Sequence, residues 1–173
     1  MKKQFVALAA LAVSLASGTA FAQLNDTLAK IKSSGTVNLG VRDSSGLGFT
    51  VGGGKHVGFH TEMAERIIDD LKKQLGTDLK INYQVITSQN RIPLLQNGTI
   101  DFECGSTTNN VARAKDVSFA VTTYVEEVRI ATKANSGIKS VADLNGKNVA
   151  VTTGTTSVQH LRRHERGANI DFK

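Results

Sequence analysis

An amphipathic segment between two strand-like segments restricts the fold of this chain more than any other feature. Four large apolar residues recur at a spacing of four, with charged residues around them: Met63, Ile67, Leu71 and Leu75. This spacing predicts a helix with one apolar face, and Gly76 is expected to end it. Residues 79–86 alternate between apolar and polar side chains, and residues 36–41 also have a strand-like composition. Strands that alternate with helices indicate an α/β fold with a parallel sheet.

The other predicted elements continue this alternation along the chain. Helices are predicted at residues 24–34, 91–96 and 156–166, with a helical turn within 110–115. Further strands are predicted at residues 100–104, 127–132 and 147–151, and turns at 42–46 and 140–146. A boundary between two α/β units is expected near residues 124–128, because strand-like segments begin again after it.

The first 22 residues have the layout of a cleavable export signal. Two lysines precede an apolar run over residues 5–15, and a small-x-small cleavage site follows at residues 20–22. The run is shorter than the roughly 20 apolar residues that span a bilayer. An interfacial anchor is the alternative, but the run has no polar face opposite the apolar one. We therefore expect the chain to be exported and the mature protein to be soluble.

The charge pattern gives little indication of a nucleic-acid partner. The formal net charge is +6, and the densest basic cluster, RRHER at residues 162–166, has no aromatic residues among its arginines. A solvated helix face is the better interpretation of that cluster. Cys104 is the only cysteine, so it is either a buried apolar residue or one half of a disulfide whose partner lies outside this sequence.

Catalytic, metal and nucleotide sites are poorly supported. Residues 46–56 (GLGFTVGGGKH) match neither a Walker A loop nor a dinucleotide-binding motif, and a flexible loop is expected there. No histidine is spaced from Cys104 in a way that favours a nucleophile and base. His160 and His164 lack the glutamate of a zincin motif, and the arginines between them would repel a cation. We expect no cofactor, no metal and no enzymatic activity.

Four loops that follow predicted strands carry hydroxyl side chains, and three of these loops also carry arginines. They span residues 42–46, 87–91, 105–113 and 152–157. In α/β proteins, ligands lie where the carboxyl ends of the strands converge. Arginine can hold a carboxylate through two parallel hydrogen bonds, so these loops indicate a ligand with more than one carboxylate. Surface salt bridges are the alternative for any single arginine.

The loop at residues 152–157 (TTGTTS) lies between a predicted strand and a predicted helix. Backbone N–H groups at a helix N-terminus form a ready anion site. The same residues would also serve as an ordinary helix cap, so the pattern leaves both interpretations open.

Four stretches of the sequence carry a family resemblance that covers residues 24–173. They are GVRDSS at 40–45, VGFHTEMAERI at 57–67, ITSQNRIPLLQNGTIDFECGSTTNNVAR at 86–113 and VTTGTTS at 151–157. Together they resemble the type 2 periplasmic solute-binding proteins of amino-acid ABC importers, and within these the glutamate/aspartate-binding proteins. The resemblance implies a bilobal α/β clamp, with residues 23–126 in the first lobe and 127–173 in an incomplete second lobe.

The same resemblance implies roles for seven residues. Three are expected to hold the α-carboxylate and α-amino end of the ligand: Ser106, Thr108 and Arg113. Three are expected to face its side-chain carboxylate: Arg42, Ser88 and Arg91. Thr156 is expected to contribute from the second lobe.

The implied function is capture of L-glutamate or L-aspartate in the periplasm by a monomer that delivers it to an inner-membrane ABC permease. Members of the family continue well beyond the equivalent of Lys173 and supply an acidic residue for the ligand's ammonium group from that part, so we expect the sequence to be a fragment. An exported enzyme on the same fold, such as a dehydratase-like or lytic-enzyme relative, is one alternative. A sensory receptor without transport is another.

Overall fold

A computed structural model describes residues 27–168 and residue 171 of the chain. The helices are α1 (Thr27–Ser34), α2 (Phe59–Leu75), α3 (Arg91–Gln96) and α4 (Thr156–Ala168). The strands are β1 (Thr36–Val41), β2 (Ser44–Ser45), β3 (Gly48–Val51), β4 (Lys55–Val57), β5 (Lys80–Val85) and β6 (Phe102–Glu103). Short 3-10 turns lie at Gly52–Gly54, Arg113–Lys115 and Val141–Leu144.

A three-stranded parallel sheet in the order β5-β1-β6 forms the centre of the structure. β1 pairs with β5 along its whole length, from Thr36 opposite Lys80 to Val41 opposite Val85. β1 pairs with β6 over a shorter stretch that includes Gly40 opposite Glu103. The predicted α/β fold with a parallel sheet is therefore confirmed. Because the strands are parallel, the loops that follow β1, β5 and β6 meet at one edge of the sheet.

The hydrophobic core lies between this sheet and helices α1 and α2. Its buried residues are Ile31, Val37, Leu39, Val41, Ala64, Ile68 and Leu79. The predicted helix around residues 63–75 is confirmed, and Gly76 ends it in the left-handed conformation (φ 62°). Ala64 and Ile68, which lie beside the four spaced apolar residues, are buried in the core, and Leu71 and Leu75 pack against it, whereas Ile67 is 43% exposed. α2 also packs on β3 and β4.

Residues 46–56 form ordered structure and not the flexible loop that their sequence suggested. β2, β3 and β4 make a second, antiparallel sheet, in which Phe49 pairs with both Ser44 and Val57. Gly53 and Gly54 have φ of 76° and 77°, which allows the chain to reverse between β3 and β4. The hydroxyl of Thr61 in α2 donates a hydrogen bond to the carbonyl of Val57, so the small sheet is attached to the helix.

Two strands predicted in the later part of the chain are wrong. Residues 127–132 and 147–151 are irregular, although the helix predicted to follow them is confirmed as α4. Strands are stabilised by hydrogen bonds to a neighbouring strand. Neither segment pairs with a strand among the described residues, and residues 127–132 are exposed throughout. Their β-branched composition is therefore not enough to produce strands.

The predicted export signal at residues 1–22 and the start of the predicted helix at 24–26 lie outside the described residues. Within residues 27–168, no helix is long and apolar enough to cross a membrane.

Candidate functional site

Arg91 is the central residue of a cluster at the carboxyl edge of the parallel sheet. It is the first residue of α3 and is 2% exposed. Its Nη1 donates to Ser106 Oγ at 3.5 Å, and its Nη2 donates to the carbonyl oxygen of Gly154 at 3.4 Å. Both bonds are longer than the usual 2.7–3.2 Å of N–H···O contacts. Its Nε is buried without a hydrogen-bond partner among the described residues.

Arg42 and Arg113 lie close enough to Arg91 for their charges to act on it. Arg42 follows β1, and its Nη1 donates to Ser88 Oγ at 3.2 Å. Arg113 begins a 3-10 turn, and its Nη1 donates to the carbonyl oxygen of Thr108 at 3.0 Å. Burial lowers the pKa of Arg91, and the charges of Arg113 and Arg42 lower it further while that of Glu103 raises it. Since arginine stays protonated in proteins, three cations are held close together at this edge.

Glu103 is a buried acid in this cluster that the sequence analysis did not identify. Its side chain is 4% exposed, and its Oε1 lies 3.9 Å from Arg91 Nη1. Thr107 donates its hydroxyl to the Oε2 atom of Glu103 at 2.6 Å. Oε1 accepts no hydrogen bond within the described part of the chain. The sequence did contain a signal for it, since Glu103 lies beside the apolar residues of a predicted strand. A buried glutamate indicates a charged partner, because Lys, Glu, Arg and Asp are almost never fully buried unless they are paired.

Gly154 connects the loop at 152–157 to two of the other loops, those at 87–91 and 105–113. Its carbonyl oxygen accepts hydrogen bonds from Arg113 Nη2 at 3.0 Å and from Arg91 Nη2 at 3.4 Å. Its φ is 75°, and a Cβ at this position would lie 2.5 Å from the carbonyl oxygen of Ser88. A glycine is therefore required for this close approach. The sequence analysis singled out the hydroxyls of this loop and overlooked its glycine.

The structure brings six of the seven predicted site residues into one connected group. Arg42 is bonded to Ser88, Arg91 to Ser106, and Arg113 to the backbone of Thr108. Thr156 stands apart: it begins α4, and no hydrogen bond between described residues joins its side chain to the other six.

A pocket of about 300 Å³ opens beside the cluster. It is lined by Ser45, Gly46, Leu47, Ser106, Tyr124 and Glu126. Ser106 belongs to both the pocket wall and the arginine cluster. The turn after β2 and the irregular segment around Tyr124 therefore bound a pocket that touches the arginine cluster at Ser106.

The chemistry available at this edge is anion binding. Guanidinium groups and hydroxyls are donors suited to carboxylates. Burial, followed by the charge of Glu103, raises the pKa of Cys104 to about 11, so its thiol is protonated at neutral pH. Burial lowers the pKa of His60, whose Nε2 forms a hydrogen bond with Thr123 Oγ1. Among residues 27–168 and 171, no group of three or more His, Cys, Asp or Glu side chains could hold a metal ion.

The fold and the cluster at its sheet edge agree with the family to which the chain is assigned. The chain belongs to the bacterial extracellular solute-binding proteins, family 3, whose model matches residues 37–167. The family resemblance read from the sequence is thereby confirmed.

Particular members of the family are similar over most of this chain. The L-glutamate/L-aspartate-binding protein of Pseudomonas aeruginosa is 45% identical over 144 residues, which cover 81% of this chain and 47% of that protein. The glutamate/aspartate import solute-binding protein of Escherichia coli K12 is 45% identical over 158 residues, which cover 87% and 52%. This chain thus spans about half the length of the curated relatives that it matches.

A solved structure supports the same fold. The crystal structure of an ancestral amino acid-binding protein, described as a precursor of cyclohexadienyl dehydratase, is similar with a TM-score of 0.63 and 29% identity. The match covers 79% of this chain and 60% of that one. This similarity confirms the fold class expected from the sequence.

Proposed function

We propose that this protein captures L-glutamate or L-aspartate in the periplasm and delivers it to an ABC permease in the inner membrane. The observation that carries the proposal is the convergence of Arg42, Arg91 and Arg113 at one sheet edge, with Arg91 buried. A ligand with two carboxylates supplies the two anionic groups that such a cluster favours. Two curated relatives have names that state this ligand class.

Within the proposed site, each end of the ligand has its own group of residues. Arg113, Ser106 and Thr108 hold the α-carboxylate and α-amino end. Arg42, Ser88 and Arg91 face the side-chain carboxylate. The bond from Arg42 to Ser88 and that from Arg113 to the Thr108 carbonyl support this division, and the bond from Arg91 to Ser106 joins the two groups.

The remaining features of the proposal concern the wider molecule. Residues 1–22 direct export, residues 23–126 form a first lobe, and residues 127–173 belong to a second lobe that contributes Thr156. The protein acts as a monomer and releases its ligand unchanged. The protonated thiol of Cys104 supports binding without turnover, because the thiolate is the nucleophilic form.

Direct titration of the purified protein tests the proposed ligand. Each hydrogen bond to a charged group contributes about 1.5–3 kcal/mol, and a micromolar complex needs only about 8 kcal/mol. We therefore expect calorimetry to give micromolar or tighter binding of glutamate or aspartate. Glutamine should bind at least about a hundredfold more weakly, because it leaves one guanidinium without a counter-charge. Equal affinity for glutamine would contradict the ligand assignment, and conversion of the ligand during incubation would contradict the binding function.

A further inference from the structure

We propose that Glu103 is a specificity-determining residue. Its carboxylate is held in a fixed position beside the arginines and offsets one of their positive charges, which limits the negative charge that a bound ligand can carry. The proposal concerns an acid that lies among the arginines and is not part of the ligand site proposed above. Its consequence for dicarboxylic amino acids rests on the proposed function. Its consequence for simple dianions does not.

The carboxylate of Glu103 is held near Arg91 but does not form a hydrogen bond with the guanidinium group. The 3.9 Å from Oε1 to Arg91 Nη1 is beyond hydrogen-bond distance but close enough for a strong Coulomb interaction. The hydroxyl of Thr107, at 2.6 Å from Oε2, fixes the other oxygen. Arg91 therefore makes no hydrogen bond to Glu103, only long ones to Ser106 and Gly154, while the negative charge of Glu103 acts on it.

The room for this carboxylate is provided by Gly105. A Cβ at this position would lie 2.5 Å from Glu103 Oε1, so any side chain would displace the carboxylate. The orientation of Arg91, in contrast, depends on Ser106 and on the carbonyl of Gly154. Neutralising Glu103 should therefore change the electrostatic potential of the cluster more than its geometry.

The charges of the cluster match a dianion. Three guanidinium cations and one carboxylate interact around Arg91, which leaves two net positive charges. Sulfate and glutarate are such dianions, whereas glutamate and aspartate carry two carboxylates together with one ammonium group. Without the charge of Glu103 the cluster would hold one further positive charge and would bind simple dianions more tightly, with less discrimination among them.

The variant Glu103→Gln tests this inference because it removes the charge and keeps the shape. We expect sulfate and glutarate, measured by calorimetry at constant ionic strength, to bind at least about tenfold more tightly than to the unmodified protein. Glu65→Gln is the matched control. It neutralises an acid that accepts a hydrogen bond from Tyr83 in another part of the fold, and should leave anion binding unchanged.

A second variant keeps the inference testable if Glu103→Gln does not fold. Thr107→Val removes the hydroxyl that holds Oε2, which frees the carboxylate to pair with Arg91. We expect sulfate and glutarate to bind about threefold or more weakly to this variant, because the internal ion pair then competes with them.

The outcomes separate this inference from the proposed function. Tighter sulfate binding by Glu103→Gln supports the inference even if the unmodified protein does not bind glutamate. The failure to bind glutamate would contradict only the proposed function. Unchanged or weaker sulfate and glutarate binding in a folded Glu103→Gln protein would overturn the inference. Absence of anion binding in every variant would overturn it as well.

Discussion

The buried position of Arg91 is not explained by its contribution to folding. Taking a guanidinium out of water costs several kcal/mol, which only close and well-aligned partners offset. Its contacts with Ser106 and Gly154 are 3.5 and 3.4 Å long, and its Nε has no partner among the described residues. A carboxylate of a bound ligand would supply the short, charge-assisted bonds that these contacts lack.

At the same scale, the pKa of Cys104 depends on the charge of its neighbour Glu103. Burial and then the Glu103 carboxylate raise the pKa of the thiol to about 11. Because the thiolate is the reactive form, iodoacetamide should modify Cys104 at pH 8 at least about tenfold more slowly than in the denatured protein. Glu103→Gln removes the second cause, so the pKa should fall and alkylation should become faster. An unchanged rate in this variant would show that the charge of Glu103 does not act on the thiol.

Glu103 and Gly154 were not predicted as members of the cluster, because the contacts that bring them into it leave no local sequence pattern. Glu103 lies within residues 100–104, which indicated only a strand. Gly154 lies among threonines that already suggested a helix cap. Its closest neighbour, Ser88, is 66 positions earlier in the sequence, and no local pattern records that approach.

Among the elements, helices were predicted better than strands. The strand Thr36–Val41 and the helix Arg91–Gln96 were predicted with the bounds that the structure gives them. The segments 127–132 and 147–151 were predicted as strands from composition alone, and they are irregular. Helices close their hydrogen bonds locally, whereas a strand requires a partner that composition does not reveal.

The loop at residues 152–157 joins the cluster through the close approach of Gly154, which gives a prediction at the element scale. Gly154→Ala adds a Cβ 2.5 Å from the Ser88 carbonyl and strains a φ of 75°. We expect a loss of about 1–3 kcal/mol in the free energy of unfolding from the strained backbone alone. Ligand affinity should fall as well, because the loops separate. Thermal unfolding and calorimetry measure the two effects.

Gly137→Ala is the matched control for this variant. Gly137 has a similar φ of 74° but nothing within 4 Å of the added Cβ, so it reports the backbone strain without the clash. Ligand binding should be unaffected in the Gly137 variant. If both variants lose the same stability and neither loses affinity, the contact between Gly154 and Ser88 does not assemble the site.

At the scale of the whole molecule, the parallel sheet explains why residues far apart in the sequence meet. β1, β5 and β6 end at one edge, so Arg42, Ser88 and Ser106 are brought together by the direction of their strands. Gly154 then adds the later part of the chain through its carbonyl oxygen. The proposed class of ligand thus depends on which side chains follow each strand.

The proposed function requires that the arginine cluster bind both carboxylates of one ligand, and this requirement can be tested by titrating Arg91→Ala. Arg66→Ala, an exposed arginine on α2, is the control for the change in net charge. We predict that Arg91→Ala loses at least about a hundredfold in glutamate affinity, much more than it loses for glutamine, while Arg66→Ala loses neither. Equal losses for both ligands in a folded Arg91→Ala protein would contradict the account.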